Sequence, residues 1–244
     1  MDPIPQELLS RLAKAGSVAV LTGAGISAES GVPTFRDAQT GLWARWSPED
    51  LATPQAFQRN PRLVWDWYRW RRELVREAEP GAGHLALAQL ERRFPRFHLA
   101  TQNVDGLHRR AGSSSCLELH GNLFRDLCAY EGTEVDLPLD DDPSPPRCPR
   151  CGGPVRPGVV WFGEPLPEAE MREAEAAARD CDIYLVVGTS GLVHPAADLP
   201  VVARRAGAFV AEINPEPTSL TDFVHLSLRG RAGSTLASLL EALP

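Results

Sequence analysis

Lysine is almost missing from this chain: Lys14 is the only one, so 24 of the 25 basic residues are arginine, a bias a GC-rich genome explains. Cations are outnumbered by 32 acidic residues, and the net charge of −7 argues against a general affinity for nucleic acid or acidic membranes. Only a local basic groove would escape that exclusion. No apolar run approaches the roughly 18 residues of a membrane span. The start, Met1-Asp2-Pro3-Ile4-Pro5, has no basic segment and no apolar stretch behind it, so a secretory signal is not expected. Cysteine is sparse and odd in number, with five residues and one C-x-x-C, which points to metal or free thiols in a reducing cytoplasm rather than a disulfide framework.

What remains is a soluble globular composition in 244 residues, enough for one large core or one core plus a satellite. Residues 5–15 have helical spacing and stop at Gly16. Short apolar runs then recur at 18–21, 97–100, 116–119, 183–187, 208–213 and 224–228. Helical stretches are expected from Asn60-Pro61 to about Glu79, at 84–93, at 168–179 and at 234–242. Six apolar strands alternating with helices predict an α/β fold, a doubly wound parallel Rossmann-like sheet. Two stretches interrupt the alternation. Residues 38–80 hold five of the six tryptophans, and residues 123–165 hold an acidic run, clustered prolines and three cysteines. The expected organisation is a dinucleotide-binding domain from 1–37, 81–122 and 166–244, with 38–80 and 123–165 as a smaller inserted domain.

The first strand ends in Thr22-Gly23-Ala24-Gly25-Ile26-Ser27-Ala28, which fits the G-x-G-x-x-A dinucleotide fingerprint. Gly23 would permit the turn, Gly25 would let backbone approach a pyrophosphate, and Ala28 would let helix meet strand. A dehydrogenase places an acidic ribose ligand about 20 residues on, at a strand end. Here that position falls among Trp43, Trp46, Pro48 and Glu49, in no recognisable strand. A dinucleotide is indicated; hydride transfer is not. The other strands also exit into small or polar residues: T-Q-N-V-D, H-G-N, G-T-S, N-P-E and R-G. In a parallel sheet these exits share one rim, where ligands bind. His120 stands on it, with an ordinary pKa near 6.5 that suits a general base, beside Gln102, Asn103 and Asp105 as hydrogen-bonding groups. A lone histidine is also compatible with a plain hydrogen-bonded structural residue.

These segments resemble the sirtuin family: G-A-G-I-S-A-E-S-G at 23–31, P-T-F-R-D at 33–37, T-Q-N-V-D-G-L-H at 101–108 and H-G at 120–121. So do V-V-W-F-G-E at 159–164, G-T-S at 188–190 and E-I-N-P-E at 212–216. The resemblance implies an NAD-dependent protein-lysine deacylase that consumes NAD and releases nicotinamide and O-acyl-ADP-ribose. It implies His120 as the base, with Asn103 and Asp105, and NAD held by Gly23, Ala24, Gly25, Ala28, Phe35, Arg36, Trp43 and Gln102. Gly188, Thr189, Ser190, Asn214, Glu216 and Ala232 would hold the adenosine end, and Val160, Trp161 and Phe162 the substrate peptide by strand addition. Acyl-lysine proteins are the implied partners, met by a monomer. A mono-ADP-ribosyltransferase or a non-enzymatic NAD sensor on the same scaffold are the alternatives.

Tyr68 and Arg71, three apart in the expected helix, share a face. Alone they fit either a solvated helix surface or a carboxylate-binding pair. The Y-x-x-R pattern, with Ala38 after Phe35-Arg36-Asp37, resembles the class III sirtuins, which remove succinyl, malonyl and glutaryl groups. Cys128-x-x-Glu131, sixteen residues, then Cys148-x-x-Cys151 has the spacing of a structural zinc site, with Glu131 where a fourth cysteine would stand. Either zinc is held by Cys128, Cys148 and Cys151 with Glu131 or water, or packing alone holds the module.

Overall fold

The structure, a computed structural model, describes residues 3–33, 46–137 and 145–243. In chain order the elements are α1 (Gln6–Leu12), β1 (Ser17–Thr22), α2 (Ala24–Ala28), α3 (Pro48–Leu51), α4 (Pro54–Arg59), α5 (Pro61–Glu77), α6 (Ala82–Glu91), β2 (Arg96–Thr101) and α7 (Leu107–Arg110). Then come β3 (Cys116–Glu118), β4 (Gly121–Cys128), β5 (Val155–Val159), α8 (Glu168–Asp180), β6 (Ile183–Val187), α9 (Leu199–Ala206), β7 (Phe209–Asn214), β8 (Leu226–Arg229) and α10 (Ala232–Ala242).

Six strands form one parallel sheet in the order β3-β2-β1-β6-β7-β8. All six residues of β1 are buried, which is why it reads as an uninterrupted β-branched and apolar run. One face packs Leu87, Leu90, Leu236 and Leu239 of α6 and α10 against Val18, Val20 and Leu185. The other packs Ala174, Ala178, Leu199 and Ala203 of α8 and α9 against Ala19, Leu21 and Val186. The chain winds outward from β1 to β3, returns, and winds the other way from β6 to β8. The strand order therefore reverses between β1 and β6, and a crevice opens at their carboxyl ends.

Two smaller cores lie apart from the sheet. One gathers Leu51, Phe57, Val64, Trp67, Tyr68, Leu123 and Trp161. The other gathers Trp65, Cys128, Val135, Cys148 and Val155. Helix α5 serves both. Asn60 caps it by accepting from the Leu63 amide at 3.1 Å, and Pro61 at its first turn needs no partner for a missing N–H. Arg72 fastens it to β4, donating to the Leu123 carbonyl at 2.5 Å and to Asp126 Oδ1 at 2.7 Å.

Three expectations are corrected in detail. Helix α6 starts at Ala82 rather than 84, because the His84 ring accepts from the Gly81 amide at 3.2 Å and closes the first turn early. Helix α9 between β6 and β7 is not anticipated by the sequence reading: Pro200 makes its start read as loop, and only the left-handed Gly207 marks its end. The stretch after His120 contains an antiparallel pair, β4 with β5, hidden by Pro157 and Gly158 within β5 and by a shifted register between Gly121 and Asp126.

Candidate active site

The crevice is bounded by the exits of β1 and β6, which touch. A Cβ on Gly25 would come within 2.8 Å of the Gly188 backbone, so Gly25 is required for two loops to meet. The amides of Gly23 and Gly25 donate to the Val187 and Gly188 carbonyls at 3.0 and 2.8 Å. Among the described residues this leaves the Ala24 amide, on an exposed residue, as the loop's donor toward a bound anion. Ala28 is exposed too; Ile26 and Ser27 form the buried side of the five-residue α2, so Ile26 rather than Ala28 seats it on the sheet.

Residues from β2's exit cross to both neighbouring loops. Gln102 Nε2 donates to Thr189 Oγ1 at 2.8 Å. Asn103 Nδ2 donates to the Gly23 carbonyl and to Ser27 Oγ, both at 3.0 Å. With both amide hydrogens engaged, Asn103 has only its Oδ1 as a further polar handle. Asp105 is buried and accepts from the Leu107 amide at 2.9 Å, opening α7. Ser27 is a member of this network that the sequence reading misses; nothing in its spacing distinguishes it from any small residue of a Gly-rich turn. Its other partner is His84, Nε2 to Oγ 3.3 Å.

His120 is half-buried at the start of the β4 segment, and its Nδ1 lies 2.9 Å from the Gln102 carbonyl oxygen. A carbonyl only accepts, so the hydrogen sits on Nδ1 and Nε2 carries the lone pair. Burial lowers the His120 pKa below its ordinary 6.5, and the bond to Gln102 partly offsets this. The ring is therefore neutral near pH 7, in the state a base requires. The next residue, Gly121, has φ +77°, and a Cβ there would overlap the Gly158 carbonyl. No side chain fits at that point of the H-G pair.

The residues expected at the adenosine end are partly brought together. Asn214 Nδ2 donates to the Thr189 carbonyl at 3.0 Å, and the Ser190 carbonyl accepts from Ser219 Oγ at 3.1 Å. Glu216 is exposed, its amide 3.4 Å from Asn214 Oδ1. Ala232, the first residue of α10, is buried in the core that packs on the sheet. Phe35, Arg36, Trp43 and Ala38 lie outside the described residues.

Tyr68 and Arg71 are both buried, 3% and 8% exposed, which removes the solvated-helix alternative. Burial raises the Tyr68 pKa to about 12, against the lowering field of Arg71. Burial lowers that of Arg71, against the fields of Tyr68 and Asp105, which place the guanidinium near the β2 exit. Across from α5, the Val160 amide donates to the His120 carbonyl at 2.8 Å. Phe162 is 53% exposed, whereas Trp161 is 2% exposed and packs in the core that also holds Phe57 and Tyr68. Leu192 and Val193, just past G-T-S, are exposed large apolar residues that sequence patterning does not single out.

The sulfurs of Cys128, Cys148 and Cys151 and a carboxylate oxygen of Glu131 all lie within 4.8 Å of one another. Amides of Glu131 and Gly153 point at Cys128 and Cys151 Sγ at 3.4 Å. Three sulfurs and one oxygen in this grouping suit zinc. Cys116 and Cys181 are buried free thiols with pKa raised to about 12 chiefly by burial, and so inert. Among the described residues no helix is long and apolar enough to cross a membrane.

The fold is a doubly wound sheet with a loop-lined crevice where the strand order reverses, the place where such sheets bind ligands, and sequence comparison narrows the class. The Sir2 family pattern matches residues 23–195, and the chain belongs to that family. An NAD-dependent protein deacylase of Thermus thermophilus is 54% identical over 243 residues, covering 98% of this chain and 95% of its own. The crystal structure of a Sir2 homolog–NAD complex superposes with a TM-score of 0.92 at 44% identity, covering 98% of this chain and 93% of the other. A Sir2–p53 peptide–NAD+ structure gives 0.83 at 30% identity over 97% of each chain.

Proposed function

We propose that this chain is an NAD-dependent protein-lysine deacylase that prefers acidic acyl groups, succinyl and malonyl, over acetyl. The observation that carries the deacylase reading is the His120–Gln102 bond, which keeps the Nε2 lone pair on the rim beside the nucleotide crevice. NAD, when bound, supplies a ribose whose bond to nicotinamide is broken in exchange for the acyl oxygen. Ala24 and the Gly23–Gly25 turn receive its phosphates, with Thr189, Ser190, Asn214 and Glu216 at the adenosine end. Asn103 through Oδ1 and Asp105 orient the ribose, and His120 Nε2 takes a proton from its hydroxyl. The preference for an acidic acyl group rests on Arg71, a buried guanidinium on the helix face it shares with the Tyr68 phenol, a donor set whose planar fork suits a carboxylate.

The substrate peptide would lie along 160–164. There the amides of Val160, Trp161, Phe162 and Glu164 are already bonded within the chain. Strand addition therefore runs through the exposed Gly163 amide, with Phe162, Leu192 and Val193 as apolar contacts. We take residues 38–80 and 123–165 as a second lobe over the crevice, zinc bound by Cys128, Glu131, Cys148 and Cys151 as its structural clasp, and the protein as a cytoplasmic monomer. A panel of acetyl-, malonyl- and succinyl-lysine peptides with NAD, following nicotinamide release, tests the reading. Succinyl turnover should exceed acetyl turnover in the wild type, and Tyr68→Phe with Arg71→Met should lower it at least tenfold more; equal losses on both would refute the acidic preference.

A further inference from the structure

Trp161 packs beside Tyr68 in one buried cluster, and its surroundings fix one thing about that tyrosine. The indole Nε1 is 3.1 Å from the Tyr68 hydroxyl oxygen, with both side chains buried. An indole N–H can only donate, so it occupies a lone pair of the phenol oxygen. The phenol's own hydrogen must then point elsewhere, and among the described residues no acceptor takes it. Burial keeps that hydrogen in place at neutral pH, as the raised pKa shows. Tyr68 is thus held as a donor, on the helix face it shares with Arg71.

The indole itself is clamped on several sides. The Arg156 guanidinium stands 3.5 Å above its ring, and the Phe57 ring lies 5.3 Å away. Arg156 is in turn gripped by both oxygens of Glu164, at 2.5 and 2.8 Å, and donates to the Val159 carbonyl at 2.9 Å. Glu164 also accepts from the Trp161 amide at 2.8 Å. Phe57, Arg156 and Glu164 therefore converge on the orientation of one indole, although that indole is almost wholly shut off from solvent. Filling a core would need only an apolar ring. An oriented N–H aimed at a phenol is a different requirement.

We propose that Trp161 is a positioning residue for acyl specificity: its indole N–H turns the Tyr68 hydroxyl into a donor aimed, with Arg71, at the carboxylate of an acidic acyl-lysine. This rests on the acidic-acyl reading above. A freed phenol could rotate its hydrogen away or present a lone pair to the incoming anion. Because an acyl carboxylate is contacted in the ground state as in the transition state, the loss falls on KM more than on kcat.

The test compares kcat/KM on succinyl- and acetyl-lysine peptides for five proteins: wild type, Trp161→Phe, Tyr68→Phe, the Trp161→Phe/Tyr68→Phe pair, and Arg71→Met. A sixth carries benzothienylalanine at 161, which keeps the indole's shape and replaces N–H by sulfur, covering the case that phenylalanine packs badly. The succinyl-to-acetyl ratio is expected to fall about tenfold in Trp161→Phe and in the analogue, mainly through the succinyl KM, and to fall no further when added to Tyr68→Phe. A ratio that stays high in the analogue while Arg71→Met collapses it overturns the role of Trp161 and leaves the acidic preference standing. So does a Trp161→Phe loss equal on both peptides, or one that persists in full without the Tyr68 hydroxyl. If Arg71→Met leaves the ratio unmoved, the acidic-acyl reading falls first, and this inference with it.

Discussion

His120 donates its Nδ1 hydrogen to the carbonyl of Gln102 at 2.9 Å, and that single bond decides which ring nitrogen can accept a proton at the rim. Burial keeps the ring's pKa below 6.5. A base is lost as pH falls through its pKa, so the acid limb of kcat/KM for deacylation should have its midpoint below pH 6.5. An acid limb centred at about 6.5 or above would contradict the geometry. His120→Ala should cost about 10²–10⁴-fold in turnover, the usual scale for a positioned base.

Gly121 tests why the histidine is followed by glycine. Its positive φ and the abutting Gly158 carbonyl penalise any side chain. Gly121→Ala should cost about 2–4 kcal/mol in urea unfolding, combining left-handed strain with overpacking. A loss under about 0.5 kcal/mol would show that the β4–β5 contact yields easily.

His108 is buried beneath β1, its Nε2 2.8 Å from Thr22 Oγ1, with its pKa lowered to about 3 by burial and by the nearby His84. The folded state thus refuses a proton that the unfolded chain takes up at 6.5. Stability is unaffected above 6.5 and drops by about 1.4 kcal/mol per pH unit from there down to about 3. Between about pH 7 and 5 the wild type should lose about 2 kcal/mol more than His108→Gln, measured by denaturant midpoints. Equal losses would place the acid sensitivity elsewhere.

For the cysteine cluster, purified protein should carry one zinc per chain. Cys148→Ser should abolish it, and Glu131→Cys should slow its loss to a chelator, since thiolate is the softer ligand. The ion pair of Glu131 with Arg150, 3.2 Å, competes for the carboxylate, so Arg150→Ala should also tighten retention. Metal-free, stable wild type would mean that packing around Cys128 and Val155 holds this lobe alone.

The parallel sheet is legible in the sequence because buried strands must be apolar on both faces, and each run ends at a turn that also lines the rim. Thr22-Gly23, Gly188-Thr189 and Asn214 fall on one edge by that reasoning alone. Helix α9 and the β4–β5 pair are not legible, since Pro200, Pro157 and Gly158 imitate loop. At the site, His120 and Gln102 are identifiable by position, but not the bond between them, which joins the side chain of one exit to the backbone of another. The roles inside V-V-W-F-G-E are also hidden. Residues 161–164 form a tight turn closed by the Glu164 amide on the Trp161 carbonyl at 3.0 Å, so Phe162 at its tip reaches solvent while Trp161 turns inward to Tyr68.

The most direct test counts products. With a succinyl-lysine peptide and NAD, mass spectrometry should find one freed lysine and one O-succinyl-ADP-ribose for each nicotinamide released, and His120→Ala should yield about a hundredth or less of the freed lysine. Nicotinamide released with ADP-ribose attached to the peptide or protein, and the lysine still acylated, would contradict the account.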